Sequence, residues 1–191
     1  MKLCFVFVAK NASSSIKHIM QPWTMVRSCH PPARKLIDGC TTFTVVRDPF
    51  TRFVSGYREV CKLRPDDMNA RRLSTSLPFS RIHDPLKKFA QFVHDIDGNI
   101  YDLHLVPQVD YIKTPNVPVA EWLTFENITK HMGDMLKRLK LPGSLPRRNV
   151  SDDRQLDKKL LQLLKSDMRL RRIVERIYAE DFKLYKEKAR A

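Results

Sequence analysis

The sequence predicts an α/β fold of three layers, a central parallel sheet flanked by helices, on three observations. Residues 3–8 (LCFVFV) form a continuous apolar run of strand length, the pattern of a strand buried on both faces of a parallel sheet. Residues 42–46 (TFTVV) form a second short β-rich run that leads directly into Asp48-Pro49, an N-cap followed by a first-turn proline. Strand-like runs then alternate with helical spacings along the chain, the order expected of layered α/β architecture.

Each element follows in turn. After the first strand come the polar residues Lys10 to Ser15, and Ile16, Ile19 and Met20 begin a helical spacing that Pro22 ends or bends. Beyond Pro49, the residues Phe50, Phe53, Val54 and Tyr57 place one apolar face on a helix. Residues 63–85 carry several prolines and charges and read as a long loop. Leu86, Phe89, Ala90 and Val93 mark a further helix, residues 120–125 a strand, and residues 127–139 a helix. Residues 141–150 are a loop with two prolines and two arginines, after which Ser151 is the expected cap of the first of two C-terminal helices. There is no internal repeat, and the 191 residues suit a single domain, 1–191, with a real core.

Composition narrows the function classes. Lys plus Arg outnumber Asp plus Glu by 35 to 21, a formal charge of +14, which favours a polyanionic partner or a nucleotide ligand over a neutral one. Cys4, Cys29, Cys40 and Cys61 form no CxxC pair and have no metal-ligand spacing with histidine, so a zinc site is not expected. Cys29 and Cys40 are the pair considered for a disulfide, with buried thiols the alternative. No run approaches the ~20 apolar residues of a membrane span, and Met1-Lys2 leads straight into the first strand rather than into a signal peptide or anchor. Whether an anchor precedes these residues stays open. Three Asn-x-Ser/Thr triplets begin at Asn11, Asn127 and Asn149.

Two segments carry the chemistry. A strand, then Lys10-Asn11-Ala12-Ser13-Ser14-Ser15, then a helix points backbone N–H groups at one spot, and the lysine adds a point charge beside three hydroxyls. It lacks the glycines and the Gly-Lys-Ser/Thr ending of a Walker loop. The second segment, Val46-Arg47-Asp48-Pro49-Phe50-Thr51-Arg52-Phe53-Val54-Ser55-Gly56-Tyr57, puts Arg47 at a strand end and Ser55 two helical turns further on. An arginine fork beside a hydroxyl suits a terminal phosphate, although an ion pair and a packed serine would read the same way.

These segments resemble the two nucleotide-binding elements of the carbohydrate sulfotransferases, the Golgi-type group acting on chondroitin, dermatan and heparan. The first stands where that family has Pro-Lys-x-x-Ser-Thr/Ser-Ser, with Ala9 for the proline, and the second matches Val-Arg-Asp-Pro-Phe-x-Arg-Phe/Leu-x-Ser-x-Tyr throughout. His104-Leu-Val-Pro-Gln108 is similar to a His-Trp-x-Pro-Gln segment, with Leu105 for the aromatic residue. Phe125-Glu126-Asn127 and Tyr178-Ala-Glu-Asp181-Phe182-Lys-Leu-Tyr185 resemble two later family segments.

The resemblance implies a P-loop-like sulfotransferase fold and transfer of a sulfuryl group from 3′-phosphoadenosine 5′-phosphosulfate (PAPS) to a carbohydrate hydroxyl, leaving 3′,5′-bisphosphoadenosine (PAP). Lys10, with the Asn11-Ala12 turn and Ser13, Ser14 and Ser15, would hold the 5′-phosphosulfate, and Arg47 with Ser55 the 3′-phosphate. His104 or His30 would be the general base, and Arg147 and Arg148 would close over the nucleotide or attract the glycan. The acceptor would be an acidic, glycosaminoglycan-like chain, with no metal, no nucleic acid and no membrane contact by this segment; the oligomeric state is left open. The compartment implied is the Golgi lumen, with the cytoplasm the alternative for a chain showing no anchor. Two other readings stay open: a P-loop kinase or phosphotransferase, and an inactive, polyanion-binding member of the family.

Overall fold

The structure, a computed structural model, describes residues 2–19, 24–26, 39–63, 82–96, 102–113, 118–141 and 153–189. The chain forms two compact units. One comprises Met1–Asp48, Gln108–Val150 and Lys183–Ala191; the other comprises Pro49–Pro107 and Ser151–Phe182.

The first unit is built on a four-stranded parallel sheet of β1 (Lys2–Val6), β2 (Thr24–Val26), β3 (Cys40–Val46) and β4 (Glu121–Thr124), in the order β2-β1-β3-β4. Side chains alternate along each strand, so Leu3 and Phe5 of β1 share a face with Phe43 and Val45 of β3 and Leu123 of β4. Ile16 of α1 (Ser13–Ile19) and Met132, Met135 and Leu136 of α5 (Ile128–Arg138) cover that face. Phe5 and Phe43 are register partners whose rings stack at 5.1 Å, an arrangement worth about 0.5–1.5 kcal/mol beyond area burial. Cys4 and Val6 point to the opposite face with Cys40 and Val119. β1 ends two residues earlier than its apolar run. Val8 and Ala9 are buried too, but they already belong to the turn, so burial outlasts the ladder.

The second unit is helical. α2 (Pro49–Arg58), α3 (Pro85–Asp95), α6 (Arg154–Ser166) and α7 (Met168–Ile177) enclose a core of Phe53, Tyr57, Phe89, Phe92, Leu160, Leu164, Leu170, Val174 and Tyr178. α2 starts at the proline after Asp48, as expected. Asp84 caps α3 by accepting from the N–H groups of Leu86 and Lys87, at 2.8 and 3.2 Å. The cap of α6 is Asp153, bonded to the Leu156 N–H at 2.9 Å, and Ser151 lies outside the described residues.

The C-terminal region holds three helices where two are expected. Asp167 is extended (ψ 108) and accepts from Arg169 and Leu170, ending α6 and capping α7 in one residue. Tyr178 then separates α7 from α8 (Ala179–Lys188), because its φ of −107 leaves the helical region. Two further elements go beyond the sequence expectation. β2 is only three residues long, and α4 (Gln108–Lys113) is a helix of six residues.

Burial pushes the Cys4 thiol up to about 11, with Cys40 nearby adding, and the Cys61 thiol up to about 12. Neither is a thiolate at neutral pH, so neither is a reactive nucleophile there. Cys29, the partner considered for Cys40, lies outside the described residues. No helix among the described residues is long and apolar enough to cross a membrane.

Candidate active site

The strand order reverses beside β1: the chain leaves β1 for β2 on one side and later returns to build β3 on the other. In open parallel sheets the crevice outside the carboxyl ends at such a point is where ligands bind. The turn after β1 carries Lys10, and the residue after β3 is Arg47. Both expected phosphate-binding turns therefore follow neighbouring strands at this switch point.

The first turn is tight and strained. Asn11 N–H reaches the Val8 carbonyl at 3.4 Å, and Lys10 and Ala12 both occupy the left-handed region, at φ 66 and 60. Non-glycine residues pay about 1 kcal/mol each there, and such strain gathers at binding sites. The first helical bond runs from Ile16 N–H to the Ala12 carbonyl at 3.0 Å, so the amides of Ser13, Ser14 and Ser15 lie at the open end of α1. Ser14 is exposed, Ser13 half-buried and Ser15 buried.

Asn11 has a different place from its neighbours. It is fully buried, and its Nδ2 donates to the Val45 carbonyl at 2.6 Å and to Gln108 Oε1 at 2.7 Å. Its Oδ1 is buried with no partner. The side chain shapes the turn rather than facing outward, and the Asn11 triplet is closed to glycosylation in the folded chain.

Arg47 is half-buried beside this turn. Its Nη1 donates to the Lys10 carbonyl at 2.9 Å, and its guanidinium lies 4.0 Å over the Phe125 ring, which fixes the plane of the fork. Glu126 accepts from the Asp48 N–H at 3.1 Å and from the Tyr185 hydroxyl. Burial first, then the charge and hydrogen bond of Glu126 and the charge of Asp48, push that phenol up to about 12. The Phe-Glu step and the terminal tyrosine, 59 residues apart in the chain, thus buttress the Arg47-Asp48 corner.

His104 belongs to the helical unit, on a turn of residues 102–107 pinned from several directions. The buried Arg52 donates from Nη2 to the Val106 carbonyl at 2.7 Å, and the Tyr178 hydroxyl donates to the Leu105 carbonyl. Burial pushes that hydroxyl well above the ordinary tyrosine range, with Arg52 opposing and Asp181 adding, so it remains a donor. Leu105 is a core residue, 0% exposed; the departure from an aromatic at this position is therefore a matter of packing. His104 Nδ1 stands 2.7 Å from Asp102 Oδ1, which also accepts from the His104 N–H at 2.7 Å. An ionised carboxylate only accepts, so Nδ1 carries the proton, and in the neutral ring Nε2 is left as an acceptor. That is the arrangement of an oriented general base.

Gly56 lets α2 approach this turn. A Cβ there would meet the His104 carbonyl oxygen at 2.7 Å and the Leu105 side chain at 2.8 Å. Gly56→Ala should therefore cost about 1–3 kcal/mol through overpacking, read as a lowered melting temperature, and should shift the His104 ring resonances. An unchanged melting temperature and spectrum would show that the approach is not tight.

Lys10, Asn11, Ala12, Ser13, Ser14, Ser15 and Arg47 thus lie in the sheet unit, and Ser55, half-buried on α2, and His104 lie in the helical unit. His30, Arg147 and Arg148 fall outside the described residues. Gln108, Asp102 and Arg52 acquire roles that residue type alone does not announce, although all three lie in or beside the segments singled out in the sequence. Among the described residues no three His, Cys, Asp or Glu side chains are grouped to hold a metal ion.

Fold and turns together define an α/β protein that carries the Lys10 and Arg47 turns at the carboxyl ends of adjacent parallel strands. The chain matches the sulfotransferase family over residues 1–186, and it belongs to that family. Sulfuryl transfer is the chemistry this membership supports. Searches of curated proteins and of solved structures returned no match.

Proposed function

We propose that the protein transfers a sulfuryl group from PAPS to a hydroxyl of an acidic, glycosaminoglycan-like glycan. The observation that carries this reading is the pairing of the Lys10 and Arg47 turns at the ends of adjacent parallel strands, joined by the 2.9 Å bond from Arg47 to the Lys10 carbonyl. A donor with phosphates at both ends of one nucleoside needs two cationic groups held at a set spacing. The P-loop-like, three-layer sulfotransferase architecture and the Golgi lumen are the fold and compartment that go with this reading.

PAPS supplies a sulfuryl group attached to a phosphate leaving group, and charge builds on that phosphate as the bond breaks. Lys10 and the amides and hydroxyls of Ser13, Ser14 and Ser15 would stabilise that charge. Arg47, with Ser55 two turns along the next helix, would hold the 3′-phosphate. His104, with Asp102 fixing its tautomer, would take the proton from the acceptor hydroxyl through Nε2; His30 is the second candidate. Arg147 and Arg148, with the overall charge of +14, favour an acidic acceptor.

The test is transfer of labelled sulfate from PAPS to a panel of desulfated glycosaminoglycans, beside melting with PAP or Mg-ATP. Label on the glycan and stabilisation by PAP alone are expected. Stabilisation by Mg-ATP alone would instead indicate a kinase. Salt-sensitive polyanion binding with no nucleotide effect would indicate a non-catalytic member.

A further inference from the structure

Gln108 opens α4 with its side chain 0% exposed. Burying a primary amide is unfavourable unless its donors and acceptors find partners. Here the partners are specific. Oε1 accepts from Asn11 Nδ2 at 2.7 Å and from the Arg47 backbone N–H at 2.9 Å, while Nε2 donates to the Arg47 carbonyl at 2.9 Å. One side chain therefore grips the peptide groups of Arg47 on both sides, as a neighbouring strand would, one residue past the end of β3. With its other lone pair it holds the centre of the Lys10 turn.

We propose that Gln108 is the positioning residue of the nucleotide site, setting the spacing between the Lys10 turn and Arg47 and so the separation of phosphates the protein accepts. This inference rests on the PAPS reading. Two observations distinguish it from ordinary core packing. The β1–β3 ladder is already fixed by five register pairs from Lys2↔Cys40 to Val6↔Thr44, so the bonds of Gln108 to Asn11 and Arg47 act on the turns beyond the strand ends. Asn11 lies between two left-handed residues, and its buried Oδ1 has no partner, so its orientation depends on the two bonds from Nδ2. Removing Gln108 Oε1 takes away one of them.

The experiment compares wild type, Gln108→Met and Gln108→Glu in calorimetric titrations with PAP and with adenosine 5′-monophosphate, alongside circular dichroism and melting. Methionine keeps the length without the polar atoms. Glutamate keeps the acceptor but not the donor to the Arg47 carbonyl. The readout is the ratio of the two affinities, the preference due to the 3′-phosphate. Gln108→Met should lower that ratio about tenfold or more while 5′-monophosphate binding falls less, with Gln108→Glu intermediate. An unchanged ratio in a folded variant would overturn the role of Gln108 and leave the PAPS reading standing. A wild type with no preference for PAP would overturn both. Failure of both variants to fold would make Gln108 a core residue and overturn the positioning role.

Discussion

Arg47→Ala is expected to weaken PAP binding by roughly 10- to 100-fold while the fold survives. A charge-assisted hydrogen bond contributes about 1.5–3 kcal/mol, and a tenfold change in affinity corresponds to about 1.4 kcal/mol. The side chain is half-buried, so its removal opens no large cavity, and the backbone of residue 47 stays held by Gln108. Lost with it are the bond to the Lys10 carbonyl and the stack on Phe125, so the Lys10 turn should loosen too. Arg47→Lys should recover only part of the affinity, because an ammonium keeps the charge without the planar fork. Calorimetry with PAP and with adenosine 5′-monophosphate reads the result. Equal PAP affinity in wild type and Arg47→Ala would remove Arg47 from the site.

The second large effect is on turnover. His104→Ala should lower kcat by about 10²- to 10⁴-fold, the usual contribution of a general base, and leave PAP affinity nearly unchanged. Asp102→Asn should give a loss of similar size, since an amide that donates to Nδ1 leaves the proton on Nε2 and cannot stabilise the imidazolium that forms. Single-turnover assays, with PAP titrations as the binding control, separate these outcomes. Full activity in His104→Ala would move the base to His30.

Much of the fold was legible because it rests on local patterns. The apolar run of residues 3–8, the β-rich run of residues 42–46 and the 3.6-residue spacing after Pro49 each reach the surface of the sequence as periodicity. β2 did not, since three residues carry too little pattern, and α4 did not, since six residues after a proline resemble a turn. The division of the C-terminal region at Asp167 was also hidden: an aspartate at a solvated position and one that caps a helix look alike until its ψ is known.

The candidate site divides in the same way. Lys10, the three serines, Arg47 and His104 stand in motifs whose residue types state their chemistry, and the sequence by itself determined those candidates and the parallel strands that carry them. Only the tertiary structure decided what holds them. Gln108 meets Asn11 across 97 residues and Arg47 across 61, and Tyr178 reaches Leu105 across 73. Hydrogen bonds between buried groups so far apart depend on the packing of whole elements, which no local spacing records.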